Sequence, residues 1–482
     1  MDNHDFEDIV RLLKAKEHNY NSRSIPYING RIEIIYINQL IDKTGLAEFV
    51  VRPLIEYCSK LDNSINAQTA ADGIIYAIEC TIETDPSKLD DIILSGMVVV
   101  LFSTDSRYLV LNLKMVEKRA IPEPKLTYTM RGPQDCFTEN LDSNISLLRY
   151  RVKDKNLRIK NFEVGRRTKT RVAVVYIEDI ANESVVSEVE RRITSIDVDG
   201  IGESGELQSF LLDKKHQILP QMGIIERSDM TFHTLLEGKV IVLVDGSGLA
   251  LSAPKVFSEF FMTCDDRYDN KYFGMYGRLF RYLAFIIALT ASSIFVALTS
   301  FHSDVLPAKY AISLMEMRSK VPFTAVFGAL TMEFIVELLR ESLLRVPKQI
   351  GPAIGIVGAL VIGQASVSAG IFSPLLLIVV STALLASFAI PDYSLLNTFR
   401  ILKFALILVT GAFGFYGFTL FLTLIMIELV SMNSFGVPFM APWAPFNAYD
   451  AQRTLMYNTT MATERQNIMR VKNKKRLKDN QP

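Results

Sequence analysis

Tyr282–Phe301 reads YLAFIIALTASSIFVALTSF, a run of apolar and small residues without a charge, long enough to cross the hydrocarbon core of a bilayer. Arg278 and Arg281 stand just ahead of it, as expected at a cytoplasmic edge. A second uncharged stretch, Gln349–Pro391, would extend about 65 Å as one helix, roughly twice the apolar thickness. It is therefore expected to fold back, with the break at Ser366–Pro374, where Ser, Gly and Pro cluster. A third, Phe404–Ile427, follows Arg400 and Lys403, and beyond it lies a basic tail with Arg470, Lys472, Lys474, Lys475, Arg476 and Lys478. Positive flanks at both ends place both termini in the cytoplasm, which requires an even number of crossings. Four spans are the simplest count, at about 280–301, 350–367, 371–390 and 404–430, and six are the alternative.

Upstream the chain changes character. At 482 residues it is too long for one core, and charge is dense as far as Arg281. This half contains a repeat. Arg31–Leu40 (RIEIIYINQL) resembles Arg171–Ile180 (RVAVVYIEDI), while Leu94–Asn112 (LSGMVVVLFSTDSRYLVLN) resembles Leu236–Pro254 (LEGKVIVLVDGSGLALSAP). Each of the second pair is Leu-x-Gly, a β-branched run, a turn and another strand, which is a hairpin signature. The offsets are 140 and 142 positions, so matching elements recur in matching order. The fold class read from this is an α/β N-terminal soluble region of two related lobes followed by an α-helical polytopic membrane domain. Its parts are a variable segment (1–23), lobe 1 (24–115), an inter-lobe connection (116–164), lobe 2 (165–262), a linker (263–279), the membrane domain (280–430) and a cytoplasmic basic tail (431–482).

One membrane-proximal segment breaks the apolar pattern. In VPFTAVFGALTMEFIVELLRESLLRVP (321–347), spacings of four align Glu333, Glu337 and Glu341 on one helical face, with Arg340 and Arg345 beside them. Either the helix, at about 323–345, lies at the interface and its charges face water, or the acidic face lines a cation path or an intersubunit contact. Small residues mark helix packing: Gly351 and Gly355 have GxxxG spacing, and Gly411, Gly414 and Gly417 recur every third position. Packing within the chain and contact between copies both fit.

The residues speak against an enzyme. There is no Walker A sequence, no HExxH and no GxSxG elbow, and Asp245-Gly-Ser-Gly reads as a hairpin turn. Cys58, Cys80, Cys136 and Cys264 lie far apart and read as reduced intracellular thiols. No metal or cofactor is expected. Fifty-two basic residues balance 52 acidic ones, so nucleic acid is not expected as a partner. The polar start MDNHDFEDIV does not read as a cleavable signal peptide.

Several stretches, taken in order, resemble the A subunits of GerA-type spore nutrient germinant receptors. They include Arg131-Gly-Pro with Leu148-Arg-Tyr-Arg151, Tyr176-Ile-Glu, the 236–245 hairpin strand, Ser300-Phe-His, and Val321-Pro-Phe. Met332-Glu, Glu337-Leu-Leu-Arg-Glu341, Ile362-Gly-Gln-Ala and Ser434-Phe-Gly-Val-Pro438 continue the series. The resemblance implies a multi-pass protein of the spore inner membrane that transduces nutrient sensing into germination. It implies a transporter-like B subunit and a lipoprotein C subunit as partners, and a homo-oligomer in contact with lipid. Within it the chain is either the ion-conducting part or a non-conducting scaffold, and the stage V sporulation AF type is a related alternative. A secondary transporter is a third reading, weakened because the repeat lies outside the membrane half.

Overall fold

The two Leu-x-Gly hairpins and the two Arg-led strands build a pair of sheets with one plan. In the computed structural model, described at residues 20–27, 30–60, 65–77, 79–114, 132–213, 218–268, 270–319, 321–347, 363–455 and 464–476 and at isolated positions 6, 10, 124 and 355, each lobe is a five-stranded antiparallel sheet. Lobe 1 contains β1 (Asn21–Tyr27), β2 (Gly30–Tyr36), β3 (Cys80–Glu83), β4 (Val98–Phe102) and β5 (Tyr108–Leu111), in the order β1-β2-β4-β5-β3. Lobe 2 repeats that order as β6-β7-β9-β10-β8, with β6 (Leu157–Val164), β7 (Thr170–Ile177), β8 (Gly223–Ile225), β9 (Val240–Val244) and β10 (Ala250–Ala253). The register repeats as well. Ile32 faces Phe102 and Ile35 faces Val99 in lobe 1; Val172 faces Val244 and Val175 faces Ile241 in lobe 2. These are the residues that offsets of 140 and 142 place in correspondence.

Continuous β-branched runs form the central strands because helices cover both faces. Successive side chains point to opposite sides of a strand, so Val172, Val174, Val240 and Val242 enter one cluster while Ala173, Val175, Ile241 and Leu243 enter the other. Helix α1 (Arg52–Lys60) and α2 (Ala67–Gly73) belong to lobe 1, and α2 starts at a capping box between Asn66 and Thr69. In lobe 2, α3 (Leu141–Arg151) and α4 (Glu183–Thr194) are capped by Asn140 and Asn182, and α5 (Ser228–Leu236) precedes β9. Lobe 2 starts earlier than the boundary at 165: β6 lies in the stretch read as connection, because its polar alternation resembles a loop more than a buried strand. Likewise β1 begins ahead of 24.

The helical region departs further from the spans read in the sequence. Helix α6 (Lys271–Ser300) starts inside the stretch read as a linker, since its first turns carry Arg278 and Arg281 against lobe 2. An exposed helix, α7 (Ala308–Ser319), leads to α8 (Ala325–Arg345), the acidic helix, and α9 (Pro374–Phe388) follows. Most of the expected span at 350–367, with Gly351, lies outside the described residues. Helix α10 (Tyr393–Ser431) corrects the single span at 404–430. A straight helix of that length would measure about 58 Å, yet both of its ends meet Lys255. Asp392 pairs with the Lys255 ammonium, and the Lys255 N–H donates to Ser434 Oγ at 3.1 Å. The chain reverses at Gly414, whose φ of 61° and ψ of −144° are open essentially to glycine alone. The result is a hairpin with arms at 393–413 and 415–431, and Leu395, Phe399 and Leu406 share a cluster with Ile425 and Leu429.

The stretch beyond 431 is no free tail. Residues 432–455 and 464–476 return to lobe 2, where Phe435, Val437, Ala441, Met469 and Val471 join its core. Their side chains are apolar at wide and irregular intervals, so the basic residues between them dominate a reading of the sequence.

Candidate functional site

Helix α8 places its carboxylates against the outgoing arm of the hairpin, and the two elements form a seam of charge within an apolar bundle. Glu333 is 1% exposed; its Oε1 accepts from Ser292 Oγ at 2.6 Å and its Oε2 from Lys403 Nζ at 2.5 Å. One turn along, Glu337 pairs with Arg400 and lies 3.6 Å from Arg340 Nη1. Arg340 in turn reaches Ser387 Oγ at 3.4 Å and covers the Phe388 ring at 5.9 Å. Glu341 and Arg345 pair with each other at 2.6 Å on the outer surface. Of the five charges singled out in the sequence, three are therefore turned into the bundle and two face outward. Arg400 and Lys403, read as a positive flank, are instead interior partners of the acidic face. Desolvating two charges is costly, and only close pairing with extra hydrogen bonds offsets it. The Ser292 hydroxyl supplies such a bond.

Four of the five glycines lie among the described residues and have close neighbours in the same chain. A Cβ on Gly411 would come within 2.6 Å of Val326, so this glycine lets α8 approach the hairpin arm. A Cβ on Gly414 would meet His302 at 2.9 Å and Phe301 at 3.0 Å, at the far end of α6. Gly417 faces the opposite arm, where a Cβ would lie 2.5 Å from the Val409 carbonyl oxygen. Gly355 lies beside Leu343 at ordinary contact distance.

A second polar layer joins lobe 2 to the helices. Asp266 receives Arg278 Nε at 3.1 Å and Arg281 Nη1 at 2.8 Å; burial raises its pKa, but the two guanidinium groups outweigh that and hold it below the usual range. Arg227 and Asp229 form a buried pair at 2.7 Å, and Tyr268 donates to the same carboxylate at 2.7 Å. Glu237 is buried, yet Arg267, Lys239, Arg453 and Arg476 overcome the burial and bring its pKa to about 2. A cavity of about 250 Å³ lies along this layer, lined by Lys239, Lys255, Glu259 and Asp392.

The sequence reading assigned no role to Arg149. It sits on α3 and lines a cavity of about 540 Å³ between the lobes, together with Tyr20, Asn38, Gln39, Asn161 and Arg171. Arg149 is 4% exposed, and its Nε and Nη2 reach no acceptor among the described residues. Burial brings its pKa down to about 10. A buried guanidinium with no carboxylate beside it among the described residues is suited to receive an anion, since an unpaired buried charge carries a large desolvation penalty. Arg151, two positions on and partly exposed, is instead held by Asp135.

The family model described as Bacillus/Clostridium GerA spore germination protein matches residues 8–468. The chain belongs to the GerA spore germination protein family. Among its relatives, spore germination protein KA of Bacillus subtilis (strain 168) is 36% identical over 424 residues, covering 88% of this chain and 78% of that protein. Spore germination protein B1 of the same organism is 35% identical, covering 90% and 89%. Spore germination protein GerLA of Bacillus cereus is 36% identical, covering 86% and 84%. Among solved structures, the N-terminal domain of the A subunit of the Bacillus megaterium spore germinant receptor GerK3 is 23% identical with a TM-score of 0.40, covering 52% of this chain and 94% of that one. This GerA-family chain has an α/β N-terminal region and a helical C-terminal region. Two of its helices, Tyr272–Ser300 and Tyr393–Ser431, are long and apolar enough to cross a membrane, the second being folded at Gly414.

Proposed function

We propose that this chain is the A subunit of a spore nutrient germinant receptor, in which the lobes sense and the helical region answers by letting cations pass. The observation that carries the reading is the charged seam: paired carboxylates and cations buried between two apolar helices, directly above the layer that ties them to lobe 2. Residues of that kind in lipid are retained for ion paths or for the switching of helices. The interlobe cavity under Arg149 supplies the sensing end, fitted to a small molecule bearing a carboxylate or another anion. In the spore inner membrane the helices cross six times. α6 and the outgoing hairpin arm run outward, α8, α9 and the return arm run inward, and the span expected from the sequence at 350–367 supplies the remaining outward crossing. Both termini and both lobes are cytoplasmic, as Arg278 and Arg281 ahead of the first span and the basic residues at 470–478 suggest. A transporter-like B subunit and a lipoprotein C subunit complete the receptor, and the outward Glu341–Arg345 pair is available to a second copy of the chain.

The test is cation flux in proteoliposomes holding the chain with and without its B and C partners. Nutrient-dependent flux that falls at least threefold in Glu341→Gln supports conduction between copies. If the complete receptor, active in spores, carries no flux in liposomes, the chain is a non-conducting scaffold.

A further inference from the structure

The helices leave lobe 2 by one covalent route and return to it by another. The forward route runs through 262–270 into α6. The return route starts where the hairpin's second arm ends, and it is fastened to lobe 2 more firmly than a tail requires. Immediately after Ser431, Asn433–Ser434 pairs with Val437–Pro438 in a tight turn. Phe435, at that turn, enters the cluster on one face of the lobe 2 sheet, and the Arg192 guanidinium lies 4.3 Å from its ring. Val437 and Ala441 enter the cluster on the opposite face. Gln221 holds the turn from both sides, donating to the Asn433 carbonyl at 3.0 Å and accepting from Ser434 Oγ at 2.7 Å.

The fastening continues to the end of the described chain. A short helix, α11 (Ala448–Leu455), carries Asp450, which is fully buried and accepts from the N–H groups of Asn467 and Ile468 at 3.2 and 3.1 Å. This clasp positions Met469 and Val471 in the lobe 2 core, and the Lys472 N–H donates to the Ile180 carbonyl at 3.0 Å. Val471 sits over Gly238, where a Cβ would come within 2.4 Å of it. Arg278 of α6 donates to the Thr454 carbonyl at 2.5 Å, so the same segment also grips the base of the first long helix.

The geometry points to residues 432–455 and 464–476 as a strap that transmits motion of lobe 2 to the return arm of the hairpin. Close-packed side chains do not slide freely, so a displacement of lobe 2 relative to α6 carries the strap with it. The strap in turn pulls on Ser431 and on the arm that pivots at Gly414. Asp450 is the positioning residue of this device. The inference rests on the reading that the lobes sense and the helices respond, but its first test does not depend on it.

That test is a distance measurement between spin labels at Ser195, on lobe 2, and Met426, on the return arm, in full-length chain with Cys58 and Cys80 replaced by Ser. A narrow distribution is expected, broadening severalfold in a chain ending at 463 and more modestly in Asp450→Asn. A distribution that stays narrow in both variants overturns the strap whatever the protein's function. If the shortened chain does not accumulate, Asp450→Asn alone decides. The second test couples the strap to the response, using Ile180→Cys with Val471→Cys, whose parent side chains both lie against Gly238. The oxidised chain, assembled with its partner subunits, should release cations on nutrient addition within twofold of the unmodified rate, whereas Asp450→Asn should slow release at least fivefold. A cross-linked chain that is silent until reduced would show a latch that must open, which overturns transmission by a fixed strap. If the unmodified receptor moves no cations, the functional reading fails while the distance result still stands.

Discussion

Removing the charge from Glu333 tests whether the seam is a coupled pair or two separate groups. Glu333→Gln keeps the shape of the side chain and its bond with Ser292, but it leaves the Lys403 ammonium, 2.5 Å away and almost fully buried, without a counter-charge. Breaking one side of a buried pair costs about 3–5 kcal/mol, which is roughly a hundred- to five-thousandfold in the folding equilibrium. Lys403→Met should cost a similar amount, because it strands the carboxylate. The double variant should recover most of the loss, since an apolar replacement of a whole buried pair is often close to neutral. Thermal unfolding of the purified chain in detergent gives the four corners of the cycle, with a coupling energy of at least about 2 kcal/mol expected. Additive single effects, with a coupling below about 0.5 kcal/mol, would refute the buried pair. A stable double variant would also permit the flux assay without the charges, separating their structural part from any part in conduction.

Three further expectations follow from particular contacts. Gly414→Ala places a side chain where φ is 61°, and should cost about 1–3 kcal/mol and lower the unfolding temperature; an unchanged midpoint would mean that the arms do not reverse there. His233 is held to a pKa of about 4, chiefly by burial and then by Arg267, with Glu237 and Asp229 acting in the other direction and Arg476 adding to Arg267. The folded state therefore binds its proton less readily than the unfolded chain, and stability that is complete above about pH 6.5 should be lost as pH falls towards 4. The loss is at most about 3 kcal/mol, and His233→Gln should flatten this part of a stability–pH profile. Finally, small carboxylates at ten times their Kd should stabilise the chain by about 1.4 kcal/mol through the cavity at Arg149. Arg149→Gln should abolish that shift, and an equal shift in the variant would place the anion elsewhere.

The two lobes were legible because their signals are local and doubled. Runs such as VVVLF and VIVLV declare central strands by β-branching alone, and equal offsets preserve order and register. The strands that escaped, β1, β3, β6 and β8, all lie at sheet edges; in β1 and β6 half the side chains meet water, and the polar pattern NSRSIPY or LRIKNFEV blends into loop. The acidic face of α8 was legible too, because spacings of four are a property of any helix. Its partners were not, since Lys403 lies 70 positions from Glu333 and looks like a span flank on its own.

The amino-acid order by itself determined the class of each half: β-branched alternation makes sheets, and long uncharged runs make helices that bury in apolar surroundings. Tertiary structure decided everything that depends on which distant groups meet. Gly414 becomes a reversal as well as a close-packed position because Asp392 and Ser434 both reach Lys255. Arg149 becomes a candidate anion receptor because no carboxylate among the described residues is brought to it, whereas Arg151 has Asp135. The basic tail becomes a strap because five apolar side chains find a core some 200 positions upstream. Periodicity and composition are summed over neighbours in the chain, while pairing, burial and sign of φ are set by neighbours in space.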